Sequence, residues 1–212
     1  MPTKRRWTTA LCTETALIVA GGWGAGGVLS TVEVMNTENT ENYKWSTAAD
    51  LPEPMCMASG TVCGGCIYML GGTNIRYIYS KSVYTCSLSA LLQPHKSSSL
   101  EAYSEKMSAS SVDRASVWSK VTDLPVRRST CVSFHGRLLA MGGMMDSGKP
   151  TTAVYMYNSA TNSWEIISHM TTGRCDCFAA VLPDNQLMVV GGRIDCFTET
   201  DIVSVEFASL YG

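Results

Sequence analysis

An all-β fold assembled from one repeated antiparallel sheet is predicted for this chain, and three observations predict it. A short apolar run closing on a glycine pair occurs four times: ALIVAGG at 16–22, CIYMLGG at 66–72, LLAMGG at 138–143 and LMVVGG at 187–192. The closing glycines lie 50, 71 and 49 residues apart, so the period is about fifty and is interrupted once. Between the glycine pairs, segments of four to eight residues rich in Val, Ile, Leu, Tyr and Cys alternate with clusters of Gly, Pro, Asn, Asp and Ser, a pattern of strands and turns.

The third unit shows the elements in order. TCVSF (130–134) is a first strand, His135-Gly136-Arg137 a tight turn, and LLAMGG (138–143) a second strand; AVYMYN (153–158) and SWEIISHM (163–170) follow as third and fourth. VEVMN at 32–36, SVYTCSL at 82–88 and DIVSVEF at 201–207 match the third strand in the other units. From each glycine pair to the next of Trp45, Trp118 and Trp164 the distances are 23, 46 and 21 residues, which places an insertion in the second unit at about 89–116. Its Ser, Lys and Glu content, as in QPHKSSSLEAYSEKM, cannot bury enough apolar surface to offset ordering, so it reads as a loop. The units run roughly 5–50, 51–123, 124–169 and 170–212, within one repeat region of 1–212. Only four residues precede Arg5, and twenty follow Gly192, so the count is fifteen strands in four sheets with the last sheet incomplete. A twisted sheet that is apolar on both faces cannot bury both by itself, so neighbouring sheets must cover one another.

Composition narrows the function classes. Across 212 residues, 45% are hydrophobic and 16% charged, which suits a packed fold. Sixteen Lys and Arg against eighteen Asp and Glu give a net charge of -2, so no global basic field attracts nucleic acid. The longest uncharged run, 15–32, carries five glycines and too little apolar side chain to span a membrane. Nine scattered cysteines, an odd number, suit thiols in a reducing compartment, and a cytoplasmic location is expected. The start, MPTKRRW, is followed by Glu14 where a signal peptide would need an unbroken apolar stretch, so it reads as mature protein.

Glycine pairs at Gly21-Gly22, Gly71-Gly72, Gly142-Gly143 and Gly191-Gly192, in register with Trp45, Trp118 and Trp164 and with Tyr84, Tyr155 and Tyr157, resemble the kelch repeat over essentially the whole chain. That resemblance implies a β-propeller with one four-stranded antiparallel blade per unit, here four blades with the last incomplete, a partial propeller. The glycine pair would allow close backbone approach at the end of the second strand, and Trp and Tyr would fill the space between blades. Arg5, Arg128 and Arg174 align at one position of the links between units, where the second unit has Met55.

Antiparallel topology puts the links between blades and the loops between second and third strands on one face. That face collects Arg5, Arg128 and Arg174, with Arg76, Asp146, Lys149, Arg193 and Asp195, and reads as a basic surface for a protein or peptide partner. The resemblance to kelch adaptors of cullin-based ubiquitin ligases implies that such arginines grip acidic peptides, their planar forks matching a carboxylate. The 212 residues show no BTB or BACK domain, so a link to cullin-based ligase components would need one on a missing portion or a partner chain. Two further readings are a propeller enzyme of the sugar-epimerase type, which needs acids and arginines converging on the axis, and a cytoskeletal scaffold that binds actin.

Catalytic signatures are lacking. Cys63-Gly-Gly-Cys66 has metal-like spacing but no second pair, and its glycines suit a tight turn; Cys175-Asp-Cys177 starts a strand, with both thiols on one side. His95, His135 and His169 share no motif, and neither HExxH nor GxSxG nor a phosphate loop occurs. No enzymatic activity, cofactor or metal is expected.

Overall fold

Short turns between apolar strands force the chain to return on itself, so every blade sheet is antiparallel. The structure, a computed structural model, describes residues 1–38, 43–93, 117–195 and 201–208. The first sheet begins with β1 (Thr9–Cys12) and β2 (Ala16–Ala20). A separate hairpin, β3 (Trp23–Gly24) and β4 (Gly27–Val28), precedes its last strands, β5 (Val32–Asn36) and β6 (Trp45–Thr47). The second sheet holds β7 (Cys56–Cys63), β8 (Cys66–Thr73), β9 (Val83–Ser87) and, beyond the short helix α1 (Leu88–Leu92), β10 (Trp118–Val121). The third is β11 (Thr130–Phe134), β12 (Arg137–Met141), β13 (Ala153–Asn158) and β14 (Ser163–His169). The fourth has three strands among the described residues, β15 (Phe178–Val181), β16 (Leu187–Val190) and β17 (Val205–Ala208).

The innermost strands carry the succession of blades: β1 lies beside β7, β7 beside β11, and β11 beside β15. This is a four-bladed β-propeller, with three apolar layers between its blades. Leu11, Ile18 and Val34 meet Ile67, Met69 and Trp118 in the first layer. Leu70 and Val83 meet Cys131, Ala140 and Tyr155 in the second, and Phe134, Leu139 and Val154 meet Ala179, Leu187 and Val189 in the third. Alternation along each strand sends every second residue to the opposite layer, which is why the strands are apolar on both faces. On the far face of the fourth blade, Phe178 and Phe207 are 63% and 58% exposed.

The glycine pairs do more than end a strand. Gly142 has a φ of 59°, and a Cβ there would collide with the carbonyl of Arg174 in the next link; Gly143 donates its N–H to that same carbonyl at 2.8 Å. Gly21 and Gly22 repeat the arrangement against Met55. The indoles clasp in the other direction: Trp118 Nε1 donates to the Ala49 carbonyl at 3.2 Å, and Trp164 Nε1 to that of Thr122 at 3.4 Å. Trp45, on the first blade, is half-buried.

Three segments depart from the sequence reading. The strand expected at 201–207 forms only over Val205–Ala208, starting opposite Val190 just as β5 starts opposite Ala20. The β3–β4 hairpin and α1 had no counterpart in the periodicity, both being too short to show one. The rest of the insertion, with His95 and EAYSEKM, lies outside the described residues.

Candidate functional site

The links between blades superimpose through their backbone bridges. Arg6, Arg127 and Cys175 each bridge the residue that follows a glycine pair: Trp23, Met144 and Arg193. One residue earlier stand Arg5, Val126 and Arg174, with Met55 in the second unit. One residue later stand Trp7, Met57, Arg128 and Asp176, with φ values of 55°, 55°, 60° and 52°. Arg128 therefore does not occupy the position of Arg5 and Arg174; it sits two residues on, at the left-handed position that faces the mouth of the propeller.

That offset separates the arginines into two kinds. The side chains of Arg5 and Arg174 are fully buried, and neither reaches a partner, which corrects the expectation placed on them. Arg5 Nη1 donates to the carbonyls of Gly21 (2.8 Å) and Thr31 (2.9 Å), and its guanidinium pairs with Glu33 at 3.3 Å. Arg174 Nη1 donates to Gly191 (2.9 Å) and Ser204 (3.2 Å), and Nη2 pairs with Glu206. Glu33, Tyr84, Tyr155 and Glu206 occupy equivalent positions on the third strands, opposite Val19, Met69, Ala140 and Val189. A link arginine thus goes with a strand glutamate, and Met55 or Val126 goes with a tyrosine. The apparent breaks in the repeat are one correlated choice between a buried ion pair and an apolar contact.

Where the links of the second, third and fourth units meet, they enclose a cleft of about 690 Å3. Arg128 and Asp176 come from adjacent links, Tyr79, Arg193 and Asp201 from the loops after second strands, and Ser59 and Cys177 from the first strands or just before them. Arg128 Nε donates to Asp176 Oδ1 at 2.9 Å while Nη2 takes the other oxygen, and the guanidinium lies 4.7 Å over the Tyr79 ring. The Asp176 hydrogen bond raises the Arg128 pKa further, so its charge is permanent. Arg193 Nε is 3.5 Å from Asp201, in a pair 45% and 71% exposed. Beside the cleft, Asp146 takes Lys81 at 2.8 Å and Arg127 at 3.3 Å. The Lys81 hydrogen bond and charge hold its carboxyl below the usual range.

The face expected to be basic is therefore mixed. Arg128 and Arg193 reach the cleft already paired with acids, whereas Arg76 and Lys149 are exposed and make no ion pair among the described residues. Tyr79, Asp176 and Asp201 escaped the sequence reading. A residue able to hold a positive φ two places after the buried link position was the available signal for Asp176.

Cysteine chemistry finds no support in the geometry. Cys177, on the cleft wall, has its thiol pushed up to about 11 by burial, and buried Cys131 is pushed up to about 12, so both are protonated and poorly nucleophilic at neutral pH. Cys63 and Cys66 face each other across the turn of Gly64 and Gly65, as the tight-turn reading requires. Asp176, at a φ of 52°, breaks the extended run between Cys175 and Cys177, so strand alternation does not relate the two thiols. His135 packs edge-on against Phe134, and His169 Nδ1 hydrogen-bonds Thr152 at 3.0 Å. Among the described residues no three His, Cys, Asp or Glu side chains gather as a metal site.

Comparison with known proteins agrees with the blade geometry. Residues 125–171 match the Kelch motif, and they span the third blade, with glycine pair, tyrosines and Trp164. The chain is 28% identical to Kelch repeat protein M-T8 of Myxoma virus (strain Lausanne) over 224 aligned residues, 92% of this chain and 42% of the viral one. The third blade carries a kelch motif. An F-box/kelch-repeat protein of Arabidopsis thaliana is 31% identical over 78 residues, 36% of this chain and 20% of the plant one. The chain thus spans less than half the length of either relative. None of its described helices is long and apolar enough to cross a membrane.

Proposed function

We propose that this propeller is a non-catalytic recognition module whose axial loop face binds an acidic segment of a partner protein. The observation that carries the reading is the exposed, loosely held Arg193 beside the permanently charged Arg128 on one cleft wall. An ion pair that is open to water and 3.5 Å long is worth little, so an incoming carboxylate can take the Arg193 fork without breaking a strong contact. Arg128 is held by two hydrogen bonds to Asp176 and by Tyr79, while Arg76 and Lys149, exposed on loops that follow second strands, make no ion pair among the described residues.

The plant relative's name couples kelch repeats to an F-box. We extend that coupling to this chain as the role of substrate-binding part in a ubiquitin ligase, with the ligase-docking element supplied by further polypeptide or by a partner chain. Catalysis of the sugar-epimerase type has one observation in its favour, the convergence of Asp176 and Asp201 with two arginines. Each of those acids is neutralised by its own arginine, an arrangement better suited to binding than to moving a proton.

A randomised peptide library displayed on phage and selected against the immobilised protein is expected to enrich Asp and Glu. Arg193→Ala should weaken the selected peptides about tenfold in fluorescence anisotropy, and added salt should weaken them further. Enrichment without acids, or equal binding by the Arg193 variant, would overturn the reading.

A further inference from the structure

Next to the cleft, and outside everything assigned so far, three aromatic rings from three separate segments converge on the surface. Trp7 comes from the link into the first blade, Trp23 from the β3–β4 hairpin and Tyr77 from the loop after β8. Trp7 meets Trp23 edge-on at 6.3 Å, and Trp23 stacks on Tyr77 at 5.7 Å. The rings are not an internal layer that happens to reach the surface: Trp7 is 43% and Tyr77 56% exposed, and Met57, Ile75 and Ile78 around them are 48%, 60% and 57% exposed. So many large apolar groups left in water within one patch mark an interaction surface.

The patch is built rather than incidental. Asn74 Oδ1 accepts the backbone N–H groups of Arg76 (2.9 Å) and Ile78 (3.2 Å), which fixes the loop that carries Ile75 and Tyr77. That loop closes on the hairpin of the neighbouring blade, where the tip of Ile75 lies 3.3 Å from the place a Cβ on Gly27 would take. Met57 accompanies Trp7 through an N–H bond to its carbonyl at 2.8 Å and also lines the cleft, so patch and cleft form one continuous surface.

Charge decides what can lie there. The Arg6 guanidinium sits 4.3 Å over Trp7, with no carboxylate partner among the described residues, and Arg76 projects from the same loop as Tyr77. Among the described residues that form the patch none is acidic. A nucleic acid would use stacked rings and cations too, but it needs a cationic track for its backbone. Here Arg6 and Arg76 are the cations beside the rings, two charges that match a short acidic motif and not a run of phosphates. Tryptophan, tyrosine and arginine together are the residues that concentrate binding energy in protein interfaces.

We infer that the Trp7, Trp23 and Tyr77 cluster is the anchor pocket for a bulky apolar side chain of an acidic linear peptide, whose flanking carboxylates go to Arg6 and Arg76. The inference rests on the proposed acidic partner and adds the apolar residue that the cleft alone does not call for.

The displayed library distinguishes the two. Peptides enriched on the protein should carry a Phe, Leu, Ile or Trp next to Asp or Glu. Replacing that residue by Ala in the peptide, or Tyr77→Ala in the protein, should weaken binding on the order of thirtyfold, the size of a hot-spot truncation. Ile75→Ser provides a second exposed variant, and melting curves confirm that both variants fold. Acidic peptides with no apolar preference, bound equally by wild type and Tyr77→Ala yet lost on Arg193→Ala, would sink the anchor and leave the cleft reading standing. A library that enriches nothing overturns both. A fluorescent single-stranded oligouridine that binds the wild type and loses affinity on Tyr77→Ala would reassign the patch from peptide to nucleic acid.

Discussion

An arginine in a link is a strut or a contact according to which position of the link it occupies. Arg174 turns inward to Glu206 on the third strand, and that carboxylate also accepts the backbone N–H groups of Thr171 (2.6 Å) and Thr172 (3.1 Å). Burial alone would raise the Glu206 pKa, but these N–H donors and Arg174 outweigh it and hold the group below the ordinary glutamate range. A depressed carboxylate contributes stability that is fully present above the unfolded pKa of about 4.3 and is lost as pH falls through the folded value. The melting temperature of the wild type should therefore fall as pH drops below about 4.3. Glu206→Gln should melt lower at neutral pH and show a shallower drop, read by differential scanning fluorimetry; parallel curves would remove Glu206 from the account. At this scale the sequence was misleading. Arg5, Arg128 and Arg174 look alike in a string of letters, and only the two-residue offset between a buried and a left-handed position tells them apart.

Blade elements depend on backbone contacts as much as on side chains. Gly142 and Gly136 both have positive φ, 59° and 70°, yet their surroundings differ: a Cβ at Gly142 meets the Arg174 carbonyl and one at Gly136 meets nothing within 4 Å. Gly136→Ala should cost about 1 kcal/mol, the left-handed penalty alone. Gly142→Ala should cost more than about 2 kcal/mol, because the adjoining link must also move. Urea unfolding of the two variants checks the difference, and equal losses would mean that the close approach carries no energy. Strands such as β11 to β14 were legible because period-two alternation is a local signal. The end strand β17 was not: it begins only at Val205, and Val203 just ahead of it is 95% exposed despite its apolar spelling.

Across the whole molecule, stability resides in the three layers between blades, while the far face of the fourth blade lies open. Phe134 is 2% exposed in the third layer and Phe178 63% exposed on that open face. Phe134→Ala should cost about 3–5 kcal/mol in chemical denaturation, whereas Phe178→Ser should stay within about 0.5 kcal/mol. A loss at Phe178 as large as that at Phe134 would mean that the face is covered in solution. The sequence by itself determined the repeat, the strands, the glycine pairs and the radial packing, since periodicity and backbone sterics act over a few residues and leave their mark on each segment. Tertiary structure alone decided which cations face inward, which acid meets Arg128 across 48 residues of chain, and which three rings gather beside the cleft. Those contacts form through space between blades, where spacing along the chain carries no record of them.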